Sequence, residues 1–338
     1  MEDGHVALDA EPEDVLALDP VLGRDLLGCQ VVRHWPRAYA DSPPLATLAS
    51  RSSTPMHASP WLSAALRKLQ WVAPVGIVTG SGSYTWAELE RSEPELVETG
   101  YGAVELMRGE LAGREILHLA RHGRGHVRLS SGVEHRANLA ALARAGARCV
   151  VSFTICGGVD PTLEPGTLIV FDELHFPANR LPDGSLCTLF SEPGDRDRGH
   201  WIAGEPFAED VRGILLDAAE KLGVPVRDGG CYGHVDGPRF NTRTEIAALA
   251  AIGVTAVSQT GGPETVLAGE LELPFALVGY VTDRANGVAP EPAPLEDLVA
   301  HMESSRLAFS RLAAASVARL ASESLRPAGF VYRWESRP

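Results

Sequence analysis

From Val75 onward, short runs of Val, Ile and Leu bounded by Gly or Pro alternate with longer stretches of helical apolar spacing. The runs predict strands over 75–79, 103–107, 115–120, 148–155, 167–171, 254–258 and 275–282. The periodic stretches predict helices over 136–146, 208–222, 242–252, 263–270 and 295–323. Glu209 and Asp210 open the second of these helices, where the helix dipole favours carboxylates. The last helix is long and Ala-rich, with Leu295, Leu298, Val299, Met302, Leu307, Leu312 and Leu320 near helical spacing. Strands of this kind alternating with helices predict an α/β fold. It is a single domain with a mostly parallel, mixed central β-sheet flanked by helices.

The first 70 residues break this pattern. They carry Pro36, Pro43, Pro44, Pro55 and Pro60, and a polar patch from Arg51 to Thr54. One short helix is expected over 12–28, with Val15, Leu16, Leu18, Leu26 and Leu27 as its apolar residues, and a loop or linker over 36–60. The chain therefore divides into an N-terminal extension over 1–70, partly flexible, and a catalytic-size domain over 71–330. A segment that covers the site or a neighbouring subunit is the other reading of the extension.

Charge and cysteine content narrow the class. The 338 residues carry a net charge of −14, which argues against an extended nucleic-acid face. Cys29, Cys149, Cys156, Cys187 and Cys231 are scattered, without a CxxC pair or a Cys/His cluster at metal spacing. Reduced thiols in a cytoplasmic protein are expected, with no metal. No basic and apolar leader and no run long enough to span a bilayer is visible.

Candidate chemistry gathers at the ends of the predicted strands, where ligands collect in open α/β sheets. Gly80-Ser81-Gly82 follows the first strand and reads as an anion-holding turn or as a plain tight turn. Arg121-His122 follows the third. It offers a planar two-pronged cation for phosphate and a second donor, or else a solvated basic loop. Thr154 and the backbone N–H of Ile155 end the fourth strand. Cys156 beside them has no marked base and reads as a packed thiol. Gly237-Pro238-Arg239-Phe240 offers an aromatic plate beside a cation. Thr260-Gly261-Gly262 precedes a helix and offers a hydroxyl and open backbone N–H groups. Asp283 ends the last strand, as a structural cap or as a carboxyl of raised pKa that protonates a leaving group.

Taken in order, and with Val133 to Leu139 and Leu163 to Thr167, these segments resemble the trimeric nucleoside phosphorylases. The likeness is closest to 5′-methylthioadenosine phosphorylase and related purine nucleoside phosphorylases, over about residues 74–325. The resemblance implies the nucleoside phosphorylase fold and phosphorolysis of a nucleoside to a free base and a pentose 1-phosphate. Inorganic phosphate is the co-substrate and no cofactor is needed. It implies a phosphate site of Ser81, Arg121, His122, Thr154, Ile155 and Thr260, and Phe240 stacked on the base. Asp283 matches the acid that bonds purine N7, and Gln259 stands where the family has a Met beside the ribose. His200 matches a residue that reaches a neighbouring subunit's 5′ pocket, which Leu295, Leu298 and Val299 would line. A homotrimer follows, with no nucleic-acid or membrane partner.

Adenine-selective relatives carry a second Asp where this chain has Ala285, so a 6-oxopurine or 5′-modified nucleoside is expected. Glu134-His135 also replaces the usual Asn-Tyr. A pyrimidine phosphorylase of specialised biosynthesis, using Gln259, Arg284 and Asn286, is the alternative. A nucleoside-binding protein without turnover is a second alternative, against which Arg121, His122 and Asp283 argue.

Overall fold

The computed structural model describes residues 73–81, 92–195 and 197–333. The N-terminal extension, with the helix expected at 12–28, lies outside the described residues. Past residue 75 every predicted strand and helix is present, with ends shifted by a few residues. The strands are β1 (Val75–Thr79), β2 (Glu93–Thr99), β3 (Gly102–Leu111), β4 (Arg114–Ala120), β5 (Cys149–Gly158), β6 (Leu168–Val170) and β7 (Glu173–His175). They continue with β8 (His200–Ile202), β9 (Val226–Asp228), β10 (Cys231–His234), β11 (Val254–Ser258), β12 (Phe275–Arg284) and β13 (Phe330–Tyr332). The helices are α1 (His135–Arg144), α2 (Glu209–Leu222), α3 (Arg243–Ala251), α4 (Gly261–Glu270) and α5 (Leu295–Ser322).

The six strands absent from the sequence reading are β2, β7, β8, β9, β10 and β13. Most have only three or four residues, too few for a period to register. Strand β2 is longer but carries Glu93, Pro94, Glu95 and Glu98 on a mostly exposed edge.

Eleven strands form one mixed sheet, and β8 pairs with β13 in a separate ribbon. Alternate residues of the central strands face opposite helical layers. Val75 and Ile77 of β1, Val151 and Phe153 of β5, and Val278 of β12 pack with Val211, Leu215, Phe309 and Leu312 of α2 and α5. Val78, Val150 and Leu277 point the other way, toward Leu139 and Leu142 of α1 and Leu267 of α4. Burial on both faces explains why these strands are apolar without alternation.

Strand β5 is the spine. One edge pairs with β12 from Val150 to Gly158. The other edge pairs with β1 only from Cys149 to Ser152, in parallel. It pairs with β11 only at Gly157 and Gly158, and there the strands run antiparallel. Residues 153–156 between these contacts form the opening of a fork. The carboxyl ends of β1 and β11 therefore approach this gap from opposite directions. Strand β12 carries a bulge between Val281 and Asp283, which inserts Thr282 and re-aims the end of the strand.

Candidate active site

The fork encloses a cavity of about 310 Å³. Its wall includes Ser81, Arg121, His122, Thr154, Ile155, Thr260, Phe240, Gln259, Asp283, Ala285 and Leu298. These residues come from the ends of β1, β4, β5, β11 and β12, from one loop and from α5. Three expected site residues lie elsewhere. His200 sits on β8 opposite Tyr332 and is exposed. Leu295 and Val299 are 75% and 48% exposed on α5 and do not line this cavity.

Arg121 is 2% exposed, so its permanent charge needs partners. Its Nε donates to Glu264 Oε1 at 2.7 Å, and Nη2 donates to Glu264 Oε2 at 3.1 Å. Nη2 also donates to Ser152 Oγ, and Nη1 donates to the Phe153 carbonyl at 2.9 Å. Ser152 in turn donates to Glu264 Oε2 at 2.6 Å. Four of the five N–H groups of a guanidinium are thus committed within the protein. The two-pronged match expected for an anion is made to Glu264 instead. A single Nη1 hydrogen remains. A Cβ on Gly80 would lie 2.7 Å from that Nη1, so the turn after β1 needs glycine to let the arginine approach.

His122 carries its ring proton on Nδ1, because it bonds the Arg128 carbonyl at 3.0 Å and a carbonyl only accepts. Burial and the neighbouring Arg121 push its pKa down to about 3, so the ring is neutral. Its other nitrogen is then an acceptor and not the donor expected from the sequence. His126, at the end of the same Arg121–His126 segment, stacks on His122 with ring centroids 4.6 Å apart and also lines the cavity.

The N-terminus of α4 points at the site, but its first N–H groups are not open. Gly261 N donates to Tyr232 Oη at 2.9 Å, and Thr260 N lies 3.4 Å from the same oxygen. A Cβ on Gly261 would stand 2.9 Å from the Tyr232 ring, so glycine here admits the tyrosine and not a ligand. The Thr260 side chain makes no capping bond and lines the cavity. The Thr154 hydroxyl lies 2.9 Å from Ser258 Oγ.

Asp283 follows the bulge and accepts from Thr282 Oγ1 at 2.8 Å. Burial raises its pKa, opposed by the Thr282 bond and by His301. Burial likewise raises the Cys156 thiol, which suits a packed side chain and not a nucleophile. Arg284 is ion-paired to Glu164 at 2.6 Å and lies outside the cavity wall. Among the described residues no group of His, Cys, Asp and Glu could hold a metal ion.

Sequence reasoning missed Glu264, Ser152, Ser130, Ser258 and Asn241. Glu264 left one signal: a carboxylate followed directly by Thr265, Val266, Leu267 and Ala268 in a buried helix demands a cation. The serines left none.

The profile of the Phosphorylase superfamily matches residues 74–318. The chain is 38% identical over 221 residues to a probable 6-oxopurine nucleoside phosphorylase of Thermococcus kodakarensis, covering 64% of this chain and 81% of that one. It is 34% identical over 215 residues to a probable S-methyl-5′-thioinosine phosphorylase of Xanthomonas campestris, covering 63% and 84%. Among solved structures, methylthioadenosine phosphorylase of Schistosoma mansoni in complex with adenine superposes with a TM-score of 0.66 at 26% identity. That match covers 75% of this chain and 93% of that one.

Two outcomes are expected from this geometry. Glu264→Gln keeps the shape but strands the Arg121 charge, so unfolding free energy should fall by about 3–5 kcal/mol in urea titrations. A loss near zero would show that the pair does not hold the fold. Burial also holds the pKa of His118 near 4, His234 near 3 and His135 well below its usual value. These imidazoles take up protons only on unfolding. Their contribution is complete above about pH 6.5 and falls by about 1.4 kcal/mol per pH unit per imidazole as pH drops toward the folded pKa values. Melting temperatures should decline steadily between about pH 6.5 and 4. A flat profile there would contradict the burial of these rings.

Proposed function

The chain belongs to the Phosphorylase superfamily, and we propose that it cleaves the N-glycosidic bond of a 6-oxopurine or 5′-modified nucleoside with inorganic phosphate. The products are a free base and a pentose 1-phosphate. The observation that carries this reading is the convergence of two sets of groups in one cavity. Ser81, Thr154, Thr260 and one N–H of Arg121 suit an oxyanion, with the acceptor nitrogen of His122 beside them for a phosphate hydroxyl, while Asp283 and Phe240 suit a heterocyclic base. Holding phosphate and nucleoside together removes the entropic cost of their encounter. The phosphate charge stabilises the cation that develops at C1′ as the bond lengthens. Asp283, with its pKa raised by burial, gives or shares a proton with purine N7 as the base leaves.

Base selection follows from position 285. Ala285 is 7% exposed in the cavity wall and offers a methyl group where a second carboxylate would accept from a 6-amino group. Two relatives at 38% and 34% identity are named for 6-oxopurine and thioinosine substrates, and hypoxanthine itself carries a 6-oxo group. The pyrimidine alternative loses support, because Arg284 is held by Glu164 away from the cavity. A homotrimer belongs to the same reading. His200, exposed on β8 and outside its own chain's cavity, is free to serve an adjacent subunit's 5′ pocket, which that subunit's Leu295, Leu298 and Val299 would line. A cytoplasmic location fits the four described cysteines, none of which forms a disulfide.

Base release from inosine or 5′-methylthioinosine should require phosphate. Equal release in phosphate-free buffer would indicate a hydrolase and overturn the reading. Adenosine should react poorly beside inosine; a wide preference for adenosine would refute the role of Ala285. Asp283→Asn should lower kcat for inosine by about 10²–10⁴-fold. The protonated carboxyl exists only below its pKa, so wild-type kcat should fall as pH rises through it, and that alkaline fall should be missing in the variant. Light scattering should give three chains per particle, and an active monomer would rule the trimer out.

A further inference from the structure

Phe240 is 69% exposed, so packing does not hold its ring where a base would stack. Its position is set by the backbone of the loop that carries it. Both carbonyls flanking Phe240 are held by side-chain amides from the ends of core strands. Gln259, one residue past β11, donates from Nε2 to the Arg239 carbonyl at 3.0 Å. Asn286, two residues past β12, donates from Nδ2 to the Asn241 carbonyl at 2.7 Å. A carbonyl only accepts, so each amide must present its NH₂ to the loop.

The Gln259 amide is itself oriented. Its Oε1 lies 2.7 Å from Ser130 Oγ, which donates to it. The loop backbone rests on this pair: a Cβ on Gly237 would fall 2.0 Å from Gln259 Oε1 and 2.2 Å from Ser130 Oγ. Arg239 closes the far side, with Nη1 and Nη2 bonding Glu245 at 2.8 and 2.6 Å. Glu245 is the capping-box residue of α3.

Resting on the phosphorylase reading, we propose that Gln259 and Asn286 form an amide clamp that holds Phe240 as a preset plate for the base. They are positioning residues, with Ser130 orienting Gln259. An unclamped loop would have to be ordered on binding, and that ordering weakens affinity for the nucleoside but not for phosphate. The clamp gives Gln259 a reason to be an amide: a thioether cannot donate to the Arg239 carbonyl.

The test uses the full-length enzyme and the variants Gln259→Met, Gln259→Glu and Asn286→Asp, each of which removes a donor. Hydrogen–deuterium exchange of the ligand-free protein over residues 236–242 should speed up in all three. KM for inosine should rise about tenfold, as for one lost hydrogen bond, with KM for phosphate within about twofold. In a Phe240→Ala background the same substitutions should add nothing to KM for inosine. Gln259→Asn and Asn286→Gln test rescue, and either restoring slow exchange supports the clamp. Unchanged exchange in the donor-less variants would overturn it. So would an undiminished effect on KM after Phe240→Ala, since the amides would then touch the base directly. A wild-type enzyme that cleaves no nucleoside with phosphate would refute the functional reading instead, and the exchange arm would still decide whether the clamp exists.

Discussion

A guanidinium cannot lose its charge at any pH the protein meets, and Arg121 has been taken out of water. Much of the site's construction answers to that constraint. A carboxylate had to be brought to it, and Glu264 arrives on α4 from 143 positions away. The remaining lone pairs and protons had to be satisfied, and Ser152 and the Phe153 carbonyl of β5 do so. Space had to be left beside Nη1, and Gly80 leaves it. The result ties the loop after β4, the middle of β5 and the first turn of α4 to one point. Such a buried pair adds little net stability over an apolar substitute, yet losing one partner is costly. Its value here is positional: it fixes three elements whose ends form the anion side of the cavity.

The other half of the cavity depends on a discontinuity in the sheet. Strand β5 keeps β12 along one edge but exchanges β1 for β11 along the other. Thr154, Ile155 and Cys156, between the two partners, line the cavity and are not consumed by a ladder on that side. The bulge at Thr282 then breaks the alternation of β12 where Asp283 must leave the core and face the cavity. The carboxyl stays buried enough for its pKa to rise and close enough to the opening to meet a ligand.

How much of this the sequence discloses follows from the range of each interaction. The helices carry their own periodicity and the central strands their unbroken apolar runs, and the strand-end positions of Ser81, Arg121, Thr154, Thr260 and Asp283 follow from them. The short strands β7, β9 and β10 exist because neighbours pair with them, so no local pattern marks them. Partnerships are less visible still. Nothing near Arg121 reveals that Glu264 takes its fork, and nothing near Gly261 reveals that Tyr232 takes its N–H. A bulge leaves no mark on composition. Residue identity therefore gave the inventory of the site, while the direction of each donor came only from long-range contacts.

The fork also bears on how the chain becomes active. Strand β5 meets β1 about 75 positions upstream and β12 about 125 positions downstream, and both partners run parallel to it. Parallel pairing at such separations forms late, after long loops have closed. The cavity at 153–156 is not complete until β1, β11 and β12 have all docked. Catalytic competence thus reports completed folding: a chain arrested with any one of these strands undocked lacks one wall of the cavity. During refolding, recovery of turnover should lag recovery of helical signal, because the helices are local and the cavity is not.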